Sequence, residues 1–346
     1  SAALPSGWSV ESGMRISRRG GQVEFMGSSA GVHRLYTVPL DGSAPARLVS
    51  GGEAVLFGPF DFQIGANGGR VVFRTEGRKS ELFSAPVDGS NPPQRLSATL
   101  QARGSVVAFA LAPGEERVVY LADQVIDETF ELYSVPADGS APPVLLHPAL
   151  TPGRDVLDFQ ISSDSQRVVY RSDSLVDEQL ELLSVPIDAS RPPVRLGRIL
   201  VTGGDVLDYQ ISPDGRNVVY RADSTINDLE ELFSTPIQGS RGPVKLSRPL
   251  VPGGDVRSFQ ISADSRTVAF AAQRNAAGAR TLLVAPIRGE EKALELAGPF
   301  QGGGTVFEYA ISADGSLVTY RADQEAPGVI ELFAVRRSSI RGAGRR

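Results

Sequence analysis

Short apolar runs, each broken by Gly, Pro, Asp or Ser, succeed one another along the whole chain. Residues 205–250 show the pattern in full. Val206–Ile211 is apolar and β-rich, and Ser212-Pro213-Asp214-Gly215 then supplies the residues of a tight reversal. Asn217–Arg221 follows, with the β-branched and aromatic side chains that suit a pleated surface. After a polar loop comes Glu231–Thr235, stopped by Pro236, which has no amide proton for a ladder. A second turn leads to Val244–Leu246. No 3.6-residue periodicity persists anywhere, so the spacing predicts strands and no helices.

The same grammar returns at a fixed interval. Asp155-Val-Leu-Asp-Phe-Gln-Ile-Ser162 aligns with residues 205–212 and 255–262, a period of 50. Equivalent positions are Ile16, Ile64, Leu111, Ile161, Ile211, Ile261 and Ile311, and the strand-ending proline recurs as Pro39, Pro86, Pro136, Pro186 and Pro286. Four short strands in each repeat of this length is the arithmetic of a propeller blade. The predicted fold is an all-β, seven-bladed β-propeller of four-stranded antiparallel blades. It forms one domain over residues 1–346, with repeats near 9–56, 57–104, 105–154, 155–204, 205–254, 255–304 and 305–346. The last repeat runs into an Arg-rich tail without a clear fourth strand. Residues 1–8 are therefore expected to complete that blade, with closure around Ile340 as the alternative.

The segments Ile-Ser-Pro-Asp-Gly-Arg-Asn-Val-Val-Tyr-Arg (211–221) and Glu-Leu-Phe-Ser-Thr-Pro-Ile (231–237) resemble the WD40-like repeat of TolB-type bacterial β-propellers, and the likeness spans nearly the whole chain. The Trp-Asp signature of eukaryotic WD40 repeats is absent; the single tryptophan is Trp8. The resemblance implies a scaffold rather than an activity, since such propellers serve both as periplasmic binding proteins and as domains of serine peptidases. It also implies a bacterial protein that is periplasmic or secreted. A chain that starts at Ser1 is expected to have lost any signal peptide or never to have had one.

Composition narrows the chemistry. Lys and Arg total 35 against 40 Asp and Glu, a net charge of −5 that gives nucleic-acid binding no electrostatic support. No apolar run approaches the roughly 18 residues of a membrane helix. With no Cys and only His33 and His147, thiolate nucleophiles, disulfides and multi-histidine metal sites are excluded. Carboxylates and loop carbonyls can bind calcium, but no D-x-D-x-D-G spacing occurs. No cofactor is expected, with a structural calcium as the lesser alternative, and the chain is expected to be monomeric.

Four sets of residues are candidates for a role. Gly27-Ser28-Ser29-Ala30-Gly31 fits G-x-S-x-G, yet it lies between two strands with no helix to present the serine, so no catalytic residue is assigned. Arg74, Arg171, Arg221 and Arg321 end second strands, and Glu81, Glu181, Glu231 and Glu331 begin third strands of the same repeats, which predicts structural cross-strand pairs. Gln63, Gln160, Gln210 and Gln260 recur on the first strand with Asp61, Asp158, Asp208 and Glu308 nearby. They are expected to line the channel or to tie blades together. The loops between second and third strands carry Asp123, Asp127, Glu128, Asp173, Asp177, Glu178, Asp223 and Asp228, an acidic face for a cationic partner.

The expected function is non-enzymatic: a scaffold presenting loops to a protein or small-ligand partner. The alternative is a hydrolase or lyase with carboxylates at the channel mouth. That activity requires a cluster of acidic and basic residues which the repeat does not predict.

Overall fold

In the computed structural model the described residues are 4–11, 13–17, 21–52, 62–75, 77, 79–247, 249–250, 254–273, 278–298, 300 and 303–336. Asp61, the first three residues of the segment expected to close the ring, and the tail from 337 lie outside them. Every regular element among the described residues is a strand, and the strands form seven antiparallel sheets in chain order. This is a seven-bladed β-propeller.

The fifth blade is built as its sequence predicts. Val206–Ile211, Asn217–Ala222, Glu231–Pro236 and Val244–Lys245 pair in that order. Five blades have four strands; the first gains an extra short strand, Ser9–Val10, which pairs with Gly27 and Ser28. The seventh shows three among the described residues. Each proline that stops a third strand leaves its carbonyl to accept the amide three residues on, as in Gly139 to Pro136 and Gly239 to Pro236, both at 2.9 Å. That bond turns the chain toward the fourth strand.

The chain divides into two compact bodies, Ser1–Val168 with Val185–Pro193, and Val169–Ser184 with Val194–Arg346. Each has a core of neighbouring blades packed face to face. In the first body Val72, Leu82 and Leu96 of blade two meet Val118, Tyr120 and Tyr133 of blade three. In the second, Val219, Leu232 and Leu246 meet Val268, Phe270 and Leu283. In several blades an aromatic at the centre of the second strand stacks on its partner in the third: Phe73 on Phe83, Tyr120 on Tyr133, Tyr220 on Phe233 and Tyr320 on Phe333, with centroids 5.1–5.9 Å apart. These pairs fix register while the flanking valines fill the gap between sheets.

Candidate functional site

The loops between second and third strands are held by buried carboxylates. Asp123 and Asp223 are only 5% and 6% exposed. Asp123 accepts the amides of Ser105 (2.6 Å) and Glu128 (3.4 Å); Asp223 accepts those of Asp205 (2.5 Å) and Asp228 (3.1 Å). Asp323 repeats the arrangement with Thr305 and Gly328, and these backbone donors hold its carboxyl below the usual range. A second layer links successive blades: Asp155 accepts the amide of Phe130, Asp205 that of Leu180 and Asp255 that of Glu230. Asp123 and Asp223 are therefore latches rather than members of an exposed acidic face. Their acidity serves the orphan backbone donors of a non-repetitive segment.

The latches set what the loop tips display. In the second body, Leu175, Val176, Asp177 and Glu178 are exposed at one hairpin, while Ile226, Asn227 and Asp228 are exposed at the next loop. The segment 201–205 lies between them: Val201 accepts a bond from Gln179 at 2.7 Å, and the Asp205 amide is held by Asp223. In the first body, Val125, Asp127 and Glu128 are exposed at the equivalent place, with Asp127 bonded to Gln101 at 2.9 Å. Asp173 lies half-buried within the strand Arg167–Val176. Each tip thus combines exposed carboxylates with an exposed aliphatic side chain, a combination that the charge pattern alone does not reveal.

The predicted Arg–Glu pairs are not formed as expected. Register places Arg221 opposite Leu232 and Ala222 opposite Glu231, so the two charged side chains leave opposite faces of the sheet. The same offset separates Arg321 from Glu331, and Arg74 faces Leu82 rather than Glu81. Arg221 instead pairs with Asp208 at 2.7 Å and Glu230 at 2.9 Å, and donates to the Val256 carbonyl at 2.9 Å. Arg321 pairs with Glu308 at 3.1 Å. Arg74 donates to the carbonyls of Val106 and Val107, and Arg171 to those of Val206 and Leu207. The repeated glutamates reach the fourth strand: Glu81 to Arg95 at 3.1 Å, Glu181 to Arg195 at 2.8 Å and Glu231 to Lys245. Exposed Glu331 belongs to the blade whose fourth strand is not described.

Arg221 also lies in a charged group that breaks the repeat. Glu230 and Arg257 have no charged counterparts in most other blades, and Arg257 contacts Asp255 at 2.9 Å and Glu230 at 3.7 Å. Burial raises the affinity of Glu230 for its proton against the pull of Arg221, and the bond to Asp208 holds the Arg221 guanidinium more firmly charged. Burial likewise pushes the neighbouring Tyr309 up to about 12. Two arginines thread between three carboxylates here, Asp208, Glu230 and Asp255.

Of the first-strand glutamines, Gln63 bridges blades two and three, donating to the Phe109 carbonyl (3.0 Å) and accepting from the Leu111 amide (2.9 Å). Gln260 donates to Tyr309 at 3.0 Å. Gln160 is half-buried and Gln210 exposed. The G-x-S-x-G segment forms a hairpin: Gln22–Ser29 turns at Ala30 and Gly31, both with positive φ, into Val32–Pro39. Ser28 there donates to Glu11 and lies opposite His33. His147 is buried and accepts the Leu132 amide at Nε2 (3.0 Å), doing for blade three what Ser50, Ser97 and Ser247 do elsewhere.

No family model matches the chain, and no curated protein matches it. Among solved structures it is similar to a TolB-type protein from Agrobacterium tumefaciens, with 19% identity and a TM-score of 0.38 over 68% of this chain and 79% of that one. It is also similar to oligogalacturonate lyase from Vibrio parahaemolyticus, with 12% identity and a TM-score of 0.47 over 97% and 93% of the two chains. A prolyl endopeptidase structure matches with 13% identity and a TM-score of 0.49 over 93% of this chain but 49% of its own. Likeness at this level concerns fold alone, and the assignment as a β-propeller rests on the seven sheets themselves.

Proposed function

We propose that the protein is a non-enzymatic binding scaffold whose second-to-third-strand loops engage a partner surface that is both basic and apolar, in the envelope or surroundings of a bacterium. The observation that carries this reading is the pairing, on the loop tips of the second body, of exposed aliphatic residues with exposed carboxylates: Leu175 and Val176 beside Asp177 and Glu178, and Ile226 beside Asp228. A tip fixed by buried hydrogen bonds loses little conformational entropy when it binds. Aliphatic contact supplies affinity, and the carboxylates supply orientation and encounter rate.

The test uses a fluorescein-labelled octalysine peptide carrying two leucines, titrated by anisotropy against wild type and a variant with Asp177→Asn, Glu178→Gln and Asp228→Asn. The variant is expected to bind about tenfold more weakly, with a shallower salt dependence up to about 0.5 M. Equal affinities and equal salt slopes overturn the reading.

A further inference from the structure

At the opposite ends of the strands, the two bodies treat one position of the repeat differently. The turn between third and fourth strands carries Asp41, Asp88, Asp138 and Asp188 in the first four repeats, and each carboxylate accepts the amide of the serine two residues on. Arginine begins the second strand in repeats two to four. Arg70 donates through Nε to Ser84 and to the Ala137 carbonyl of the next blade, both at 3.0 Å, and Arg117 donates to Ser134 at 2.8 Å. Arg117 and Asp188, of opposite charge, line one cleft in the first body. That cleft thus carries both signs of charge.

In repeats five and six both partners change. The arginine becomes Asn217 and Thr267, and the aspartate becomes Gln238 and Arg288. A cavity of about 350 Å³ in the second body is lined by Arg216, Asn217, Gln238, Ser240, Arg241 and Arg288 together with Pro236. It shares Arg216, Asn217 and Arg288 with an adjoining cavity of about 650 Å³. Asn217 is 5% exposed, and its side-chain amide makes no hydrogen bond among the described residues. Arg216, Arg241 and Arg288 make no ion pair among the described residues. Four carboxylates line the larger cavity, Asp214, Asp264, Glu290 and Glu291, and none of them lines the smaller one. The first two are engaged locally. Asp214 accepts from Ser212 Oγ (2.6 Å) and the Arg216 amide (3.1 Å), and Asp264 accepts likewise from Ser262 and the Arg266 amide.

We propose that this cavity binds a compact small molecule bearing two or more acidic oxyanion groups, carboxylate or phosphate. Three arginines and no carboxylate line this space, which favours a multivalent anion, and the forked guanidinium donors match the paired oxygens of these groups. The volume sits at the lower end of the range for small-ligand sites, which suits a compact polyanion rather than an extended polymer. Asn217, buried with both amide functions unused, offers a donor and an acceptor for a hydroxyl or carboxylate of the same ligand. The site uses none of the loop residues of the proposed partner surface, so the two readings stand or fall separately.

Isothermal titration of the full chain with citrate and with pyrophosphate, at constant ionic strength in KCl, tests the assignment. Wild type is expected to bind at least one at a single site. Citrate alone assigns a polycarboxylate, pyrophosphate alone a phosphate compound, and both together a general oxyanion site. Arg288→Asp restores the carboxylate of the other turns, and Asn217→Arg restores the arginine that fills the first-body cleft. Each is expected to weaken binding at least about tenfold while the melting temperature holds. Arg288 is exposed on a turn, so Arg288→Asp decides alone if Asn217→Arg does not fold. Binding of neither probe, or unchanged affinity in Arg288→Asp, overturns the proposal.

Discussion

Arg221 grips Asp208, its cross-strand neighbour, through Nε at 2.9 Å and Nη2 at 2.7 Å, and the same guanidinium reaches the Val256 carbonyl of the next blade. One side chain thereby ties a first strand, a second strand and an adjacent sheet. A double-mutant cycle on stability is expected to give a coupling of about 1 kcal/mol between Arg221→Ala and Asp208→Ala. The cycle with Glu231→Ala is expected to give a coupling near zero. A larger coupling to Glu231 contradicts the register described above.

The buried latch predicts unequal roles for two acids five residues apart. Asp223→Ala strands the amides of Asp205 and Asp228 and is expected to destabilise by about 2–4 kcal/mol in denaturant unfolding. Asp228→Asn removes only an exposed charge and is expected to shift stability by less than about 0.5 kcal/mol. Equal effects refute the latch.

His147 makes stability fall on the acid side. Burial lowers its pKa below the usual 6.5, opposed by the Pro148 carbonyl bond and by Glu131, so the unfolded chain takes up the proton first. The contribution of this group to stability is then complete above about pH 6.5 and declines as pH falls below it. His147→Ser, the residue used at this place in other blades, is expected to flatten that part of a melting-temperature profile.

Glu24 acts with the opposite sign. It occupies the position of Val72, Val119, Val169 and Val219, is fully buried, and neither carboxylate oxygen has a hydrogen-bond partner. Burial raises its pKa from 4.5 to about 7, so the folded chain keeps a proton that the unfolded chain releases, and stability is lost as pH rises from about 4.5 to 7. Glu24→Val is expected to stabilise the protein by on the order of 2–3 kcal/mol at pH 8 and by much less at pH 4.5. Equal gains at both pH values assign the effect to packing alone.

The strands and their order were legible because the turn residues and strand-ending prolines recur in nearly every repeat. The partner of the repeated arginine was legible too, from a signal easily passed over. Asp158, Asp208 and Glu308 accompany Arg171, Arg221 and Arg321, whereas Ser258 accompanies Ala271 and Ala108 accompanies Leu121. Residues that change together across internal copies report contact better than residues that are merely both charged. Burial of Asp123 and Asp223 was not legible, because nothing in D-x-x-x-x-E or D-x-x-x-x-D says whether the first acid faces water or a backbone amide. The arginine-lined cavity arises from the absence of a long side chain at position 217, and periodicity does not display what a missing side chain leaves open.

At the sixth position of the latched loops, Glu128 and Asp228 sit at φ of 55° and 61°, where the seventh blade has Gly328 at 77°. Glycine takes this left-handed conformation without strain, while other residues give up roughly 1 kcal/mol to hold it. Folding alone would place glycine at all three. Keeping an acid at two of them trades stability for surface chemistry, so a library selected only for heat resistance should drift toward glycine there and lose affinity for cationic probes as it does so.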